Sequence, residues 1–387
     1  MEYFKSYKGT GRFLRYFKFL SEQPEPTLIQ ETLQYCEETK NIGSFNKLKE
    51  ITSSVLTLDD PEWRKNESKQ YFEENKKLEE QHRTALGDDE KAKMLYKLSD
   101  FSEKYGEYQR AIKYCNEAIE NLKNKILICE GCFRLIKLNI FQDNFHQASL
   151  SLEKLKLNDL KNDYIKFITF IEFLFAIRSP DTFRVAFNLF EKIITFDDKE
   201  NWIYSEFLSF EDIAIYVTLI GLLTQPYKIC ATKLINNPKF RNHANTIPEL
   251  VVLLNDYKQN KFSLISNDVK QLSKYVKFNL YFGQNLNSCV NDIKTKCYID
   301  YIFSYSVVDM NVMSKMFGES LLTIETILED YIYRDVIKAK IDAVNHTLRF
   351  VEGDERYLAY ENAINAARKI INVTKEIVLR SDSMFDY

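Results

Sequence analysis

The sequence predicts a mostly α-helical chain: an array of paired helices, then helices closed by one β-hairpin, then a long terminal helix. Three observations predict it. Of 387 residues only 10 are Gly and 7 are Pro, well below the roughly 27 and 19 of average usage. Few breakers favour long helices joined by short turns. A small residue recurs at positions 111, 148 and 186 inside similar helical pairs. Near the end, hydrophobic periodicity switches from that of a helix to strict alternation. With 45% apolar and 28% charged residues, the chain has the composition of a folded globular protein.

Residues 1–87 read as short helices followed by a long charged one. Phe13, Leu14, Phe17 and Leu20 share a face, and Pro24 and Pro26 end that helix. Further helices are expected over Thr27–Lys40 and Phe45–Val55, then a charged one over about Pro61–Ala85. The basic residues Lys5, Lys8, Arg12, Arg15 and Lys18 read as a solvated helix face. Residues 88–200 read as tetratricopeptide-like helical repeats. Each pair buries one face, and stacking supplies the core. Ala111, Ala148 and Ala186 fall early in the second helix of each pair, where a larger side chain would hold the two helices apart. The turns are Gly106-Glu107-Tyr108, Asp143-Asn144-Phe145 and Ser179-Pro180-Asp181.

Residues 201–288 continue as helices. Residues 289–353 change character. A helix over Cys289–Tyr305 leads to a short one carrying Met313, Met316 and Phe317 and ended by Gly318. A third runs through Ile324, Ile327, Leu328 and Tyr331. Ile337–Asp342 and Thr347–Val351 then alternate as two strands. Three helices and a hairpin make a winged helix. Residues 354–387 read as one long helix from about Arg356 to Arg380, with Tyr360, Ile364, Ala367, Ile371 and Ile377 as its apolar stripe.

The chemistry-bearing patterns are missing. Cys129-x-x-Cys132 lacks the second pair of a zinc site and reads as core. The four histidines form no metal-protease spacing, and there is no phosphate-binding glycine loop and no nucleophile elbow. No catalytic, cofactor-binding or metal-ligating residue is assigned, no cofactor is expected, and the chain is not expected to be an enzyme. Net charge is −3, so no basic balance points to nucleic acid or membrane. The helix Ser320–Tyr333 carries Glu325, Glu329 and Asp330, which repel a phosphate backbone. Seven scattered cysteines suit a reducing compartment. The opening residues lack the order of a secretory signal, and the longest apolar run, Ile213–Leu223, is too short to span a bilayer.

Met313–Gly318, Ile324–Leu328 and Ile337-Lys338-Ala339-Lys340-Ile341-Asp342 together resemble the winged-helix signature of the PCI-domain family. Asp335 stands where the family usually has Gly, and Asp tolerates a left-handed backbone better than most residues. Within PCI proteins, Ser6-Tyr7-x-Gly9-x-x-Arg12-x-x-Arg15 and the helix around Cys129–Leu138 are similar to the first-subunit branch of the COP-nine signalosome, the complex that removes a ubiquitin-like modifier from cullins. The paralogous proteasome-lid PCI subunit is the close second, and a translation-initiation PCI subunit a more distant third. The resemblance implies a non-catalytic scaffold in a hetero-oligomer, cytoplasmic and nuclear. It implies other PCI subunits and a JAMM-type metalloprotease subunit as partners, with cullin-RING ligases as the client. It implies a winged-helix contact, for which Lys338, Lys340, Asp342, Leu348 and Phe350 are the candidates. It also implies a terminal-helix bundle, for which Ile364, Ile371 and Ile377 are the candidates.

Overall fold

In a computed structural model the described residues are 7, 9–53, 61–120, 122–157, 164–194, 206–225, 227–276, 279–282, 286–350 and, beyond these, 360, 363–371, 373–375 and 377. The expected start and end of the terminal helix, and Val351, lie outside them. By internal contacts the chain divides into two units, Met1–Lys296 and Cys297–Tyr387.

The first unit opens with three helices, α1 (Gly9–Glu22), α2 (Pro26–Thr39) and α3 (Ile42–Thr52). Phe13, Tyr16, Phe17, Leu20, Leu28, Ile29, Phe45 and Leu48 form their common core. Lys40 ends α2 in the left-handed conformation, and the Asn41 side chain caps α3 by accepting from the Ser44 amide. The charged helix α4 (Glu62–Thr84) follows. Its Tyr71 stacks on Phe101, and its buried Glu67 pairs with Lys40 at 2.6 Å. So this polar helix lies along its neighbours by an aromatic strip and one ion pair.

The helical pairs come next: α5 (Asp88–Lys104) with α6 (Tyr108–Glu120), α7 (Lys125–Phe141) with α8 (Phe145–Lys156), and α9 (Ile165–Ala176) with α10 (Phe183–Ile193). Ala111, Ala148 and Ala186 are fully buried, as expected where two helices approach closely. Cys129 and Cys132 lie on α7 and are also fully buried; burial pushes the Cys132 thiol up to about 11. Among the described residues no group of His, Cys, Asp or Glu could hold a metal ion. The turn at Gly106 (φ +83°) abuts Gly43: the Gly43 amide donates to Tyr105 O at 2.8 Å, and a Cβ on Gly43 would lie 2.5 Å from Gly106 O. The N-terminal helices thus meet the first repeat backbone to backbone.

Helix α11 (Phe210–Thr224) is buried nearly all round, the pattern of an interior helix. Around it lie α12 (Tyr227–Asn236), α13 (Pro238–Ala244), α14 (Pro248–Lys258), α15 (Phe262–Gln271) and the single turn α16 (Ser273–Val276). Pro at the first turn of α13 and of α14 sets where each starts. Phe207 stacks on Phe141 of α7, and Phe282 stacks on both Phe183 of α10 and Tyr216 of α11.

One polar joint closes this unit. Arg15 of α1 has no exposed surface; its guanidinium lies over the Tyr7 ring, donates to Phe207 O at 2.7 Å and reaches Asp212 Oδ2 at 3.5 Å. Asp212 and Ser209 form a capping box at the start of α11, and the Tyr7 hydroxyl donates to Asp212. A Cβ on Gly11 would lie 1.7 Å from Glu206 O, so only glycine lets α1 approach. The expectation that the N-terminal basic residues form a solvated face fails at Arg15. A lone arginine on an apolar helix face looks alike in sequence whether water or a carboxylate 197 positions away satisfies it.

The second unit holds the end of α17 (Leu286–Ile302), β1 (Val307–Asp309), α18 (Met310–Phe317), α19 (Leu321–Tyr333), β2 (Ala339–Asp342) and β3 (Thr347–Phe350). Phe317 packs between Tyr298 and Tyr301. Gly318 (φ +67°) ends α18, and Asp335 (φ +56°) takes the left-handed turn after α19. The sheet has three strands, not two, in the order β1-β3-β2, both pairs antiparallel. Val307–Asp309 is too short to read as a strand by alternation alone.

Candidate assembly surfaces

The sheet of the second unit has two faces. On the inner one, Val308 and Ile341 flank Leu348 across the strands, and Leu348 has no exposed surface. On the outer one, Lys340 lies opposite Arg349, which lies opposite Val307. All three are exposed, so a basic and apolar row crosses all three strands.

The five candidate wing residues therefore divide. Lys338 and Lys340 are exposed on and beside β2, an edge strand, where unpaired backbone groups face outward. Asp342 is turned to its own hairpin: its carboxylate accepts from the amides of Val344 and Asn345 and from Asn345 Nδ2 at 2.9 Å. These bonds, the Asn345 side chain first, hold its pKa below the usual carboxylate range. Leu348 lies in the core of its unit, on the middle strand. Phe350 is half-buried on the same strand and stacks on Phe303, which is 62% exposed. Sequence alternation identified which residues share a face, but the middle strand is fixed only by β1, which the sequence did not announce.

Helix α19, which in a DNA-reading winged helix would enter a groove, is acidic on its surface. Glu325 lies 3.1 Å from His346 Nδ1 and Asp330 pairs with Arg334 at 2.9 Å.

In the terminal segment residues 363–371 are helical. Ile364 is half-buried, while Ile371 and Ile377 are exposed. So are Tyr360, Ile370 and Val373, none of them among the candidates, although Tyr360 belonged to the expected apolar stripe. At 3.6 residues per turn, Ile364 and Ile371 share a face. Ile370, six residues beyond Ile364 in the same described stretch, lies about 240° round on another, and the helical period of the sequence puts Val373 and Ile377 with it. This helix has two apolar strips, where the sequence reading assumed one stripe.

No helix among the described residues is long and apolar enough to cross a membrane. The family described as 26S proteasome subunit RPN7 matches residues 60–227, and the PCI domain matches residues 254–352. The chain is 24% identical over 179 residues to the COP9 signalosome complex subunit 1 of Arabidopsis thaliana, covering 46% of this chain and 41% of that protein. It is 25% identical over 311 residues to the 26S proteasome non-ATPase regulatory subunit 6 homolog of the same plant, covering 74% and 79%. To the 26S proteasome regulatory subunit RPN7 of Saccharomyces cerevisiae it is 20% identical over 361 residues, covering 89% and 79%. The match thus spans less than half the length of the plant signalosome subunit.

Proposed function

We propose that this chain, whose residues 254–352 match the PCI domain, is a non-catalytic scaffold subunit of a multi-subunit complex, joined to its neighbours through the winged-helix sheet and the terminal helix. The observation that carries this is the terminal helix itself, which leaves Ile370, Ile371, Val373 and Ile377 in solvent on two strips. A helix apolar on more than one side belongs inside a bundle, so other subunits' helices are its natural neighbours. We assign the complex as the COP-nine signalosome. There the chain supports cullin deneddylation by a separate JAMM-type metalloprotease subunit, in the cytoplasm and nucleus. The N-terminal segment supports that choice: Tyr7, Gly11 and Arg15, within the stretch that resembles the signalosome branch, are the residues of the buried joint with Asp212. The proteasome lid is the second reading, favoured by the greater share of this chain that its lid relatives match.

Affinity purification of the tagged chain from its own cells, with mass spectrometry and a deneddylation assay, separates the two. Other PCI subunits, a JAMM-type metalloprotease and deneddylating activity are expected. Recovery of lid subunits with the base ATPases would move the assignment to the lid, and recovery of no PCI subunit would overturn the scaffold reading.

A further inference from the structure

We infer that the repeat array carries a binding groove for an extended, uncharged peptide segment of a partner protein. The groove, about 620 Å3, lies between α6 and α8, the second helices of the first two pairs. Helix α7 packs against both and supplies the floor. The volume falls in the range of ordinary ligand pockets.

The lining is unusual in its amides. Gln109 and Asn116 stand on the α6 side, Asn139 on the floor, and Asn144 and Gln147 on the α8 side. A carboxamide offers one acceptor and two donors on one rigid plane, so it can pair with the N–H and C=O of a passing peptide unit. Asn139 is the sharpest of the five. Only 5% of it is exposed, and its Nδ2 donates inward to Leu135 O at 2.8 Å. Among the described residues no donor reaches its Oδ1. That oxygen is not sealed in the interior: it opens on the groove its residue lines, where it accepts from water or from the N–H of a bound peptide. Asn144 precedes α8 where a capping side chain is expected, yet it makes no cap bond. Its amide is thus not committed to its own helix.

The charge and apolar content fix the occupant further. Glu153 and Lys154 are the charged lining residues, one of each sign, and Glu153 is engaged by Lys156 at 2.9 Å. The groove therefore selects neither an acidic nor a basic ligand. Leu150, 47% exposed on its wall, offers an apolar contact. An extended segment that pairs its backbone with the amides and places an aliphatic side chain on Leu150 satisfies all of these features.

The test is selection of a phage-displayed random dodecapeptide library on the immobilised full-length chain, followed by fluorescence anisotropy with synthetic copies of the enriched peptides. Enriched sequences are expected to be uncharged with an aliphatic residue, and to lose at least tenfold in affinity with Leu150→Asp. They are expected to bind Leu86→Asp as they bind the wild type, since Leu86 is exposed and lies outside the groove. Thermal melts check that each variant folds. Should Leu150→Asp not fold, the surface pair Gln109→Ala with Asn116→Ala carries the same expectation of weakened binding. No enrichment over uncoated wells overturns the inference. So does unchanged affinity in the groove variants, or enriched peptides that are strongly charged or bind as helices.

Discussion

At the scale of the residue, Asp268 shows a polar group held against its own preference. It lies on α15 with 8% of its surface exposed, and its Oδ2 has no hydrogen-bond partner. Burial first, and the neighbouring Asp256 second, raise its pKa above the ordinary carboxylate value. The folded chain therefore holds that proton more tightly than the unfolded chain does. Ionised Asp268 lowers stability above its folded pKa, and stability is recovered as pH falls through that value toward the unfolded one. Asp268→Asn keeps the shape and removes the charge. It is expected to stabilise the protein by about 1 kcal/mol at neutral pH and to remove this part of the acid dependence. Urea denaturation of both proteins at pH 7 and pH 5 measures it; a variant less stable than the wild type at pH 7 would refute the account. Asp342 has the opposite sign, its pKa lowered by its own turn, so its contribution to the hairpin is present above the ordinary carboxylate pKa and fades as pH falls through the lowered one.

At the scale of the element, the joint between α1 and α11 is held by an ion pair, a capping box and a close glycine approach together. Breaking a buried ion pair from one side leaves an uncompensated charge and costs about 3–5 kcal/mol. Asp212→Ala removes the partner of Arg15, the acceptor for Tyr7 and half of the capping box together. The expected loss falls in that range in chemical denaturation, and a loss below about 1 kcal/mol would mean that the carbonyls of Gly11 and Phe207 satisfy Arg15 unaided. How much of such an element could be read from sequence depended on the range of the interaction that shapes it. The pairs α5 to α10 follow local periodicity, and Ala111, Ala148 and Ala186 mark their close approaches at a nearly constant spacing. The left-handed turns at Gly318 and Asp335 are set by the residue that occupies them. Arg15, by contrast, is defined by Asp212, and the central place of β3 by the three residues of β1. Neither long-range fact leaves a periodic trace. The floor amide Asn139 was invisible for the same reason: on α7 it sits among apolar residues and marks a groove only once α6 and α8 stand beside it.

At the scale of the whole molecule, 14 of the 23 exposed large apolar side chains among the described residues lie in the smaller second unit. The winged-helix unit exposes Phe303, Val307, Leu322 and Tyr333, and the terminal helix exposes its two strips. Exposed apolar area grouped in this way marks interaction surfaces rather than scattered surface side chains. The two strips make separable demands. If the helix lay on a single partner surface, one strip alone would matter. If it sits within a bundle, a charge on either strip meets a desolvated neighbour and costs several kcal/mol of association. Ile371→Asp tests the first strip and Ile377→Asp the second. Both residues are more than half exposed in the isolated chain, so each substitution is expected to leave its stability within about 0.5 kcal/mol. Both variants are expected to lose most of their co-purifying PCI subunits. Quantitative mass spectrometry of tagged variants, paired with thermal melts of the purified chains, reads the two quantities apart. Loss from one variant alone would place the helix on a surface instead of in a bundle, and wild-type recovery from both would remove the terminal helix from the assembly altogether.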